Sequence, residues 1–405
     1  MNDAWIIDTA RTPRGIGRAD KGALAGIHPQ RVLSQVLAAL EQRNSLNNKE
    51  IEHVIAGCGA QVEAQRGDIA RMAALDAGWL CTPGTSVDHF CGSSLAATLF
   101  GATHVMTGVH DLVVTGGVEM MSQPAAPHVA TDQGNLHLRE KHPITSVGIS
   151  ADVIATEEGF SRQQIDEFAV ESQQRAALAI ENGYFKRSLI PVYRDDGSLA
   201  LDREEYPRPG TTLEKLLSLE PSFKYVMDMP MDDRHTFGEV ARMQWPDLEI
   251  NHVHHAGNSS GIVDGASGVI LASPDYAKRH GYRPRAKIVS MSYQAGSPEY
   301  NLNEPVASAE KALKKAGMAV SDIDLFEVNE AFAVVPLRFM QRLTVEHDKL
   351  NVNGGAIALG HPVGATGSML LGTLLDELER RDLTVGLVTM CAAGGMAPTV
   401  IIERI

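Results

Sequence analysis

Short apolar runs alternate with amphipathic segments along most of the chain, which is the pattern of strands that alternate with helices. The run at 111–117 is continuously apolar, as in strands that are buried on both faces. We therefore expect an α/β protein whose sheets are covered by helices. The predicted elements of the first part are strands at 5–8, 53–57 and 111–117, and helices at 30–42, 68–77 and from about 91 to 108.

The last third of the chain repeats this order of elements. A strand is predicted at 324–328, a helix rich in small residues at 364–380 and a closing strand at 383–390. Both parts read strand, helix, strand and end in glycine-rich turns. This similarity predicts two similar halves that derive from an internal duplication.

The intervening segment, 122–250, is richer in Pro, Met and charge. One helix is clearly predicted at 161–182, because Ser161 and Gln164 have the spacing of a capping box and Gly183 lies where a helix would stop. We interpret the segment as an inserted loop or lid domain. The predicted domains are an N-terminal half at 1–121 completed by about 251–273, the lid at 122–250 and a C-terminal half at 274–405.

Length, charge and cysteine spacing exclude several classes of protein. The 405 residues suffice for two domains or one large layered body, and the formal charge of −14 without a basic run argues against nucleic-acid binding. The four cysteines are too far apart for a metal site, and the histidines at 252–255 lack cysteine partners. Neither a signal peptide nor a membrane span is predicted, and a reduced cytoplasmic setting is expected.

Cys91 is the first candidate for chemistry. It lies at a predicted strand-to-helix junction and is followed by Gly92, Ser93 and Ser94. Unpaired backbone N–H groups and the positive end of a helix dipole both lower the pKa of a thiol. On this context alone, the alternative is an inert buried cysteine.

Three further motifs come from the second half. His361 lies within the glycine-rich run at 353–367, where small residues allow close approach of a substrate; a turn histidine among packing glycines is the alternative. A phosphate-binding loop is disfavoured because its lysine is missing. Cys391 follows a predicted buried strand and could transfer a proton. Asn329 begins an Asn-Glu-Ala-Phe sequence at a strand terminus, where α/β sites commonly form.

Taken together, these motifs resemble the thiolase family, which has a nucleophilic Cys motif, then Asn-Glu-Ala-Phe, Gly-His-Pro and Cys-x-x-Gly-Gly motifs in this order. The resemblance extends nearly end to end, from the Arg-Thr-Pro at 11–13 through 116–120 and 256–261 to 402–403. It implies a five-layer αβαβα fold of two similar halves, with a lid that supplies much of the coenzyme A (CoA) site. It also implies a homodimer or homotetramer that requires no cofactor or metal, CoA being a substrate.

The resemblance also implies roles for individual residues. Cys91 accepts the acyl group, His361 removes its thiol proton and Cys391 acts as acid or base. One oxyanion is assigned to His361 with a water held by Asn329, the other to the backbone N–H groups of Cys91 and Ala393. The activity implied is reversible, CoA-dependent cleavage of a 3-ketoacyl-CoA to acetyl-CoA and a shortened acyl-CoA.

Residues 256–260 match the family segment that contacts CoA, and Ser260 matches a position that contacts the pantetheine arm. Ala256 and Gly257 are assigned to the same site. A loop hydroxyl that caps its own turn is the alternative for Ser260.

The chain also departs from the family pattern. Asp88 replaces the usual Asn three residues before the nucleophile, and we expect its carboxylate to point away from Cys91 and bind backbone N–H groups. Val147 stands where acetoacetyl-CoA thiolases have Met. Residues 224–257 are extended and rich in Met, including Met231, and methionines adapt to bulky apolar ligands.

From these departures we expect Val147 and Met231 to line an acyl pocket for a degradative substrate larger than acetoacetyl-CoA. Arg234 or Arg242 would be available for a substrate carboxylate. A solvated surface insertion is the alternative for the extended segment.

The same residues also bear on three other functions. Ketoacyl synthases use a Cys-His-His set, which Cys391 and Asn329 disfavour. An acetyl-CoA acetyltransferase that forms acetoacetyl-CoA remains an alternative. A catalytically silent lipid-binding or scaffold subunit is disfavoured by the presence of Cys91, His361 and Cys391 together.

Overall fold

The computed structural model describes residues 3–123 and 131–405. Its strands are β1 Trp5–Arg11, β2 Gly15–Ile16, β3 His53–Gly57, β4 Gly84–Val87, β5 Leu112–Met120, β6 Val192–Tyr193, β7 Leu199–Leu201, β8 Val263–Ala272, β9 Ala286–Ala295, β10 Leu325–Val328, β11 Val385–Thr389 and β12 Met396–Arg404. Its α-helices are α1 Pro29–Asn44, α2 Ile69–Asp76, α3 Ser93–Thr107, α4 Leu136–Lys141, α5 Val147–Glu158, α6 Arg162–Glu181, α7 Leu213–Leu217, α8 Ser222–Val226, α9 Phe237–Gln244, α10 Pro274–His280, α11 Pro305–Ala316, α12 Val334–Leu343, α13 Ala356–Leu359 and α14 Thr366–Arg380.

One ten-stranded sheet contains two groups of strands with the same topology, which are joined where β1 pairs with β9; β2 pairs with β8 beside them. The first group has the order β1-β8-β5-β3-β4, and the second has the order β9-β12-β11-β10. In each group the first three strands pair antiparallel and the following ones pair parallel. A parallel bridge from Phe326 to Leu350 stands where the second group would place a fifth strand. The predicted similarity of the two halves is therefore confirmed.

Three hydrophobic clusters fill the spaces between the layers of the molecule. One joins the outer helices α1 and α2 to the first group of strands, and another packs α11 and α12 against the second group. A third lies between the two groups and contains apolar side chains of α3 and α14. This order of helices and strands is the predicted five-layer αβαβα fold.

The predicted element boundaries agree closely with the observed ones where local capping determines them. The Ser161 hydroxyl accepts the N–H of Gln164, and the Gln164 side chain accepts the N–H of Ser161, so α6 begins with the predicted capping box. Helix α3 begins at Ser93 after Gly92 as N-cap, two residues beyond Cys91. The nucleophile candidate thus lies in the turn before the helix.

The inserted segment contributes α4 to α9 and the small β6–β7 sheet, after which β8 pairs with β1 and β5. Its predicted span of 122–250 includes 124–130, which lie outside the described residues, and the predicted domain boundaries stay predictions. Within 3–123 and 131–405, no helix is both long and apolar enough to cross a membrane.

Candidate active site

Cys91 lies in a tight turn between β4 and α3. Phe90 adopts a left-handed backbone conformation with φ of 49°, which turns the chain sharply before the cysteine. The Asp88 carboxylate accepts the N–H of Phe90 at 2.9 Å, and the Ser93 hydroxyl oxygen accepts the N–H of His89 at 2.9 Å. The expectation that Asp88 binds a backbone N–H is confirmed, and the turn that presents the thiol is held from both sides.

Opposing effects act on the Cys91 thiol. Burial and the nearby Glu119 carboxylate raise its pKa to about 11. The backbone N–H groups of Cys91 itself and of Ala393 face the sulfur and act in the opposite direction. The free site therefore holds a protonated thiol whose thiolate, once formed, has two backbone donors beside it.

Cys391 follows β11 at the start of the loop that provides Ala393. The N–H of Gly394 donates to the side-chain oxygen of Asn301 at 3.0 Å, and the N–H of Ala392 donates to the carbonyl oxygen of Met396 at 2.7 Å. These bonds hold the residues on both sides of Ala393. Burial and the proximity of Cys91 raise the pKa of Cys391, so it is a protonated acid at neutral pH.

His361 is buried, and both of its ring nitrogens have neighbours. Its Nδ1 lies 2.6 Å from the Thr366 hydroxyl, which donates its proton to the carbonyl oxygen of Pro362 at 2.9 Å. The proton of the neutral ring is therefore on Nδ1. The other nitrogen, Nε2, lies 3.5 Å from the side-chain nitrogen of Asn329 and keeps its lone pair toward the site.

Burial and the Arg14 guanidinium lower the pKa of His361 to about 4. Arg14 is itself buried and donates to Glu204 at 3.1 Å. The imidazole is consequently neutral at physiological pH and can accept a proton, which a general base requires.

Glu119 joins the loop before α14 to the N-terminal half. Its carboxylate accepts the N–H groups of Gly59 and Gly364 at 2.8 Å each. A side chain at position 364 would place Cβ 2.6 Å from the Cα of Cys58, so only glycine allows this approach. Burial raises the pKa of Glu119 to about 6, although the N–H groups favour its charged form.

The predicted CoA-binding segment borders a cleft of about 600 Å³. Ser260 and Ala256 line the cleft, whereas Gly257 is not among its lining residues and donates its N–H to Nδ1 of His255 at 3.0 Å. Three cationic side chains also line the cleft: Arg18, Lys21 and Arg208.

The predicted acyl-pocket residues meet around helix α5. Val147 is the first residue of α5 and is half-buried. The Phe223 ring lies directly over Gly148, where an added Cβ would come within 2.0 Å of it. Met231 is buried in a cluster with Ile149 and other apolar side chains of the extended segment.

Three contributors to the site were not singled out in the sequence. Thr366 lies inside the run at 353–367 and contacts His361 five residues away. Glu119 lies inside the motif at 116–120, but its role depends on a contact with Gly364 of the other half. Arg14 follows the Arg-Thr-Pro motif. A buried cation beside a glycine-rich loop gives no recognisable pattern in the sequence.

Comparison with known proteins identifies the family of this chain. Residues 4–226 match the thiolase N-terminal domain and 282–404 match the thiolase C-terminal domain. The chain belongs to the thiolase family and is an acyltransferase.

Relatives and a solved structure match over the full length. The steroid 3-ketoacyl-CoA thiolase of Mycobacterium tuberculosis is 38% identical, over 100% of this chain and 95% of that relative. The 3-ketoacyl-CoA thiolase of Serratia proteamaculans is 36% identical, over 100% of both chains. The crystal structure of the Bacillus anthracis acetyl-CoA acetyltransferase superposes with a TM-score of 0.85 at 30% identity, covering 100% of this chain and 99% of that chain.

Proposed function

We propose that this protein cleaves a 3-ketoacyl-CoA with free CoA, giving acetyl-CoA and a shortened acyl-CoA, through an acyl group carried on Cys91. The observation that carries the proposal is the proximity of two thiols, Cys91 and Cys391, with the Ala393 N–H facing Cys91. The neutral imidazole of His361, 3.5 Å from the Asn329 side chain, supports it as the base. The names of the relatives, which are 3-ketoacyl-CoA thiolases, support a degradative role in fatty acid or related lipid breakdown.

The first half-reaction breaks the carbon–carbon bond. The sulfur of Cys91 attacks the 3-keto carbon while its proton passes to Nε2 of His361. The bond between C2 and C3 then breaks, and its electron pair forms the enolate of acetyl-CoA. The Cys391 thiol protonates that enolate at C2, which its raised pKa permits because it still holds its proton.

The second half-reaction returns the free enzyme. The thiol of CoA loses its proton to the deprotonated Cys391 and attacks the thioester carbon on Cys91. The Cys91 sulfur leaves and regains its proton from His361, so that both thiols and the imidazole return to their initial protonation states. No external oxidant, metal or cofactor enters this balance.

Two sets of donors would stabilise the oxyanions. The backbone N–H groups of Cys91 and Ala393 suit the thioester oxygen during acyl transfer, and such a donor is commonly worth about 3 kcal/mol. His361 and a water held by Asn329 would serve the other oxyanion. The buried side-chain oxygen of Asn329 has no hydrogen-bond partner among the described protein groups, which suits a water ligand.

The cleft beside Ser260 suits CoA. Its cationic side chains, Arg18, Lys21 and Arg208, suit the phosphates of CoA, and Ser260 with Ala256 suits the pantetheine arm. Gly257 would contribute through the loop that carries these residues. This local positive charge matters because the chain as a whole has a formal charge of −14.

The acyl group is proposed to be larger than acetoacetyl. Val147 is shorter than Met, Phe223 packs against the neighbouring Gly148, and Met231 of the extended segment belongs to the same cluster as Ile149 of α5. The exposed guanidinium groups of Arg234 and Arg242 are candidates for a substrate carboxylate. The similarity to a steroid 3-ketoacyl-CoA thiolase supports a bulky substrate.

Thiolysis rates over a panel of 3-ketoacyl-CoA substrates test the proposal. The panel contains acetoacetyl-CoA, medium-chain and long-chain straight substrates, and carboxylated and polycyclic ones, with kcat/KM measured for each. We expect kcat/KM to be at least about tenfold higher for a larger substrate than for acetoacetyl-CoA. A preference for acetoacetyl-CoA would reject the larger substrate and favour an acetyl-CoA acetyltransferase, which the solved neighbour is named for.

Trapping of the intermediate tests the catalytic assignment independently of substrate size. Peptide mass spectrometry after quenching should find the acyl mass on the peptide of Cys91. Absence of both the adduct and any CoA-dependent cleavage across the panel would instead indicate a silent lipid-binding or scaffold subunit.

We also propose a cytoplasmic homodimer or homotetramer. The four cysteines are free thiols, and the proposed chemistry requires two of them in the reduced form. Size-exclusion chromatography with light scattering would measure the assembly.

A further inference from the structure

Three imidazole rings cluster at the end of α3 that is remote from Cys91. His104 lies in the last turn of α3, His110 follows the helix, and His53 begins β3. One nitrogen from each ring lies within 4.8 Å of the other two. The ring centroids are 5.9 Å apart for His53 and His104, 5.5 Å for His53 and His110, and 5.2 Å for His104 and His110.

The backbone fixes the positions from which these rings project. The carbonyl oxygen of His104 accepts the N–H groups of Val109 and His110 at 3.0 and 3.3 Å, so the end of the helix turns His110 back toward His104. His53 pairs with Val113 in the parallel β3–β5 ladder, which brings the start of β3 beside this turn. The cluster therefore does not depend on a flexible loop.

The rings are in a state that can bind a cation. The Nδ1 atom of His104 is buried and has no hydrogen-bond partner among the described residues. His104 also lies at the carbonyl end of α3, where the helix dipole favours positive charge.

Two oxygen-bearing side chains, Glu52 and Thr85, lie next to the rings. The Glu52 carboxylate lies 3.9 Å from Nδ1 of His110, and its position is held because it also accepts the N–H of Leu112 at 3.2 Å. The Thr85 hydroxyl lies 2.9 Å from Nε2 of His53. Carboxylates and hydroxyls beside metal-bound histidines orient the rings and raise their basicity.

We propose that His53, His104 and His110 bind one divalent transition-metal ion, of the class of Zn²⁺, with water or Glu52 as a further ligand. Three imidazoles and an oxygen form a common tetrahedral set for this class. Bonds of about 2.0 Å require the nitrogens to approach to about 3.4 Å, which rotation of half-buried side chains allows. The ion joins the end of α3 to β3 and β5, far along the helix from the nucleophile.

The sequence did not reveal this site, and no metal was expected. His53 lies far from His104 in the sequence. The spacing from His104 to His110 is not one that places two residues side by side on a helix. Only the parallel pairing of β3 and β5 brings the three residues together. The ion has no part in the proposed acyl transfer, so the two proposals can fail independently.

Titration of the metal-free full-length protein with Co²⁺ tests the site directly. Visible d–d absorption reports tetrahedral binding, and thiolate ligands add a strong near-ultraviolet band that histidine ligands lack. We expect one Co²⁺ per chain, displaced by one Zn²⁺, without the thiolate band, and a melting temperature raised by the ion.

Variants locate the site on the chain. His104→Gln and His110→Gln should each weaken Co²⁺ affinity by at least about tenfold, while His137→Gln, which changes an exposed histidine outside the cluster, should bind as the wild type does. Far-ultraviolet circular dichroism verifies that each variant is folded. Failure to saturate near one ion per chain, unchanged affinity of His104→Gln, or a thiolate band that alkylation of the cysteines removes would each overturn the proposal.

Discussion

The two halves share a topology but carry different functional side chains at equivalent positions of their strands. The last paired residues are Gly57 and Gly117 between β3 and β5, and Val328 and Thr389 between β10 and β11. One residue beyond the first strand of each pair stands Cys58 in one half and Asn329 in the other. Glu119 and Cys391 each stand two residues after the last paired residue of the second strand, Gly117 or Thr389.

The difference shows that equivalent positions in two similar halves can take on different roles. In the N-terminal half, Glu119 holds loops through backbone N–H groups, and Cys58 is a buried thiol beside it. In the C-terminal half, the equivalent positions carry Asn329, proposed to hold a water, and Cys391, the proposed acid. The turns before the middle helices differ as well, since Cys91 precedes α3 and His361 precedes α14. The proposed nucleophile therefore comes from one half, and the proposed acid and base come from the other.

Exchanging each thiol for a hydroxyl separates these contributions most strongly. Cys91→Ser should lower kcat for thiolysis by about four orders of magnitude and abolish acetylation by acetyl-CoA. Cys391→Ser should lower thiolysis by about 10²- to 10⁴-fold but leave acetylation of Cys91 by acetyl-CoA detectable, because that step breaks no carbon–carbon bond. Radiolabelled acetyl-CoA with peptide mapping measures both, and Cys81→Ser, at an exposed thiol, is the matched control. Equal loss of acetylation in both variants would contradict this division of roles.

The pH dependence of alkylation examines the nucleophile without substrate. Because burial and Glu119 raise the pKa of Cys91 to about 11, the thiol form dominates below that pH and the reactive thiolate grows as pH rises. The rate of alkylation by iodoacetamide should therefore increase about a hundredfold between about pH 7 and pH 9. Mass spectrometry of the Cys91 peptide gives the rate. A rate that is flat over this range would indicate a thiolate–imidazolium pair across the two halves.

Substitution of Thr366 tests how the orientation of His361, the proposed base, affects catalysis. Thr366→Val removes the oxygen that accepts Nδ1–H of His361, so kcat should fall about tenfold through loss of ring orientation. Because Thr366 acts through His361, the KM for CoA should change little. Thr366→Ser keeps the hydroxyl and should restore most of kcat, whereas equal loss in both variants would indicate a packing role only.

Substitution of Asp88 should have the smallest effect of these changes. Asp88→Asn keeps an oxygen for the N–H of Phe90 but removes a charge that raises the pKa of Cys91. Since Asp88 is exposed and its charge is screened by solvent, alkylation of Cys91 should accelerate only about twofold. Asp20→Asn, at another exposed carboxylate, serves as control. A slower reaction would show that the hydrogen bond to Phe90 matters more than the charge.

Local signals in the sequence were sufficient for the fold and for the chemical groups. The apolar runs predicted strands such as β3 and β5, and the Ser161 capping box predicted the start of α6. Some contacts that act on the site are long-range and carry no local pattern. Glu119 and Gly364 are separated by 245 positions, and only the packed halves reveal their hydrogen bond.

The middle layer has a consequence for how the molecule unfolds. Helices α3 and α14 pack in one hydrophobic cluster with strands of both groups. If one half unfolded, the other would therefore expose the apolar faces of its helix, α3 or α14, and of its strands. Neither half therefore has a complete interior of its own, and opening one necessarily exposes the other. We expect the amides of β5 and β11, although they lie in different halves, to exchange with solvent deuterium through a single global opening event. The duplication has thus produced one cooperative unit from two similar parts.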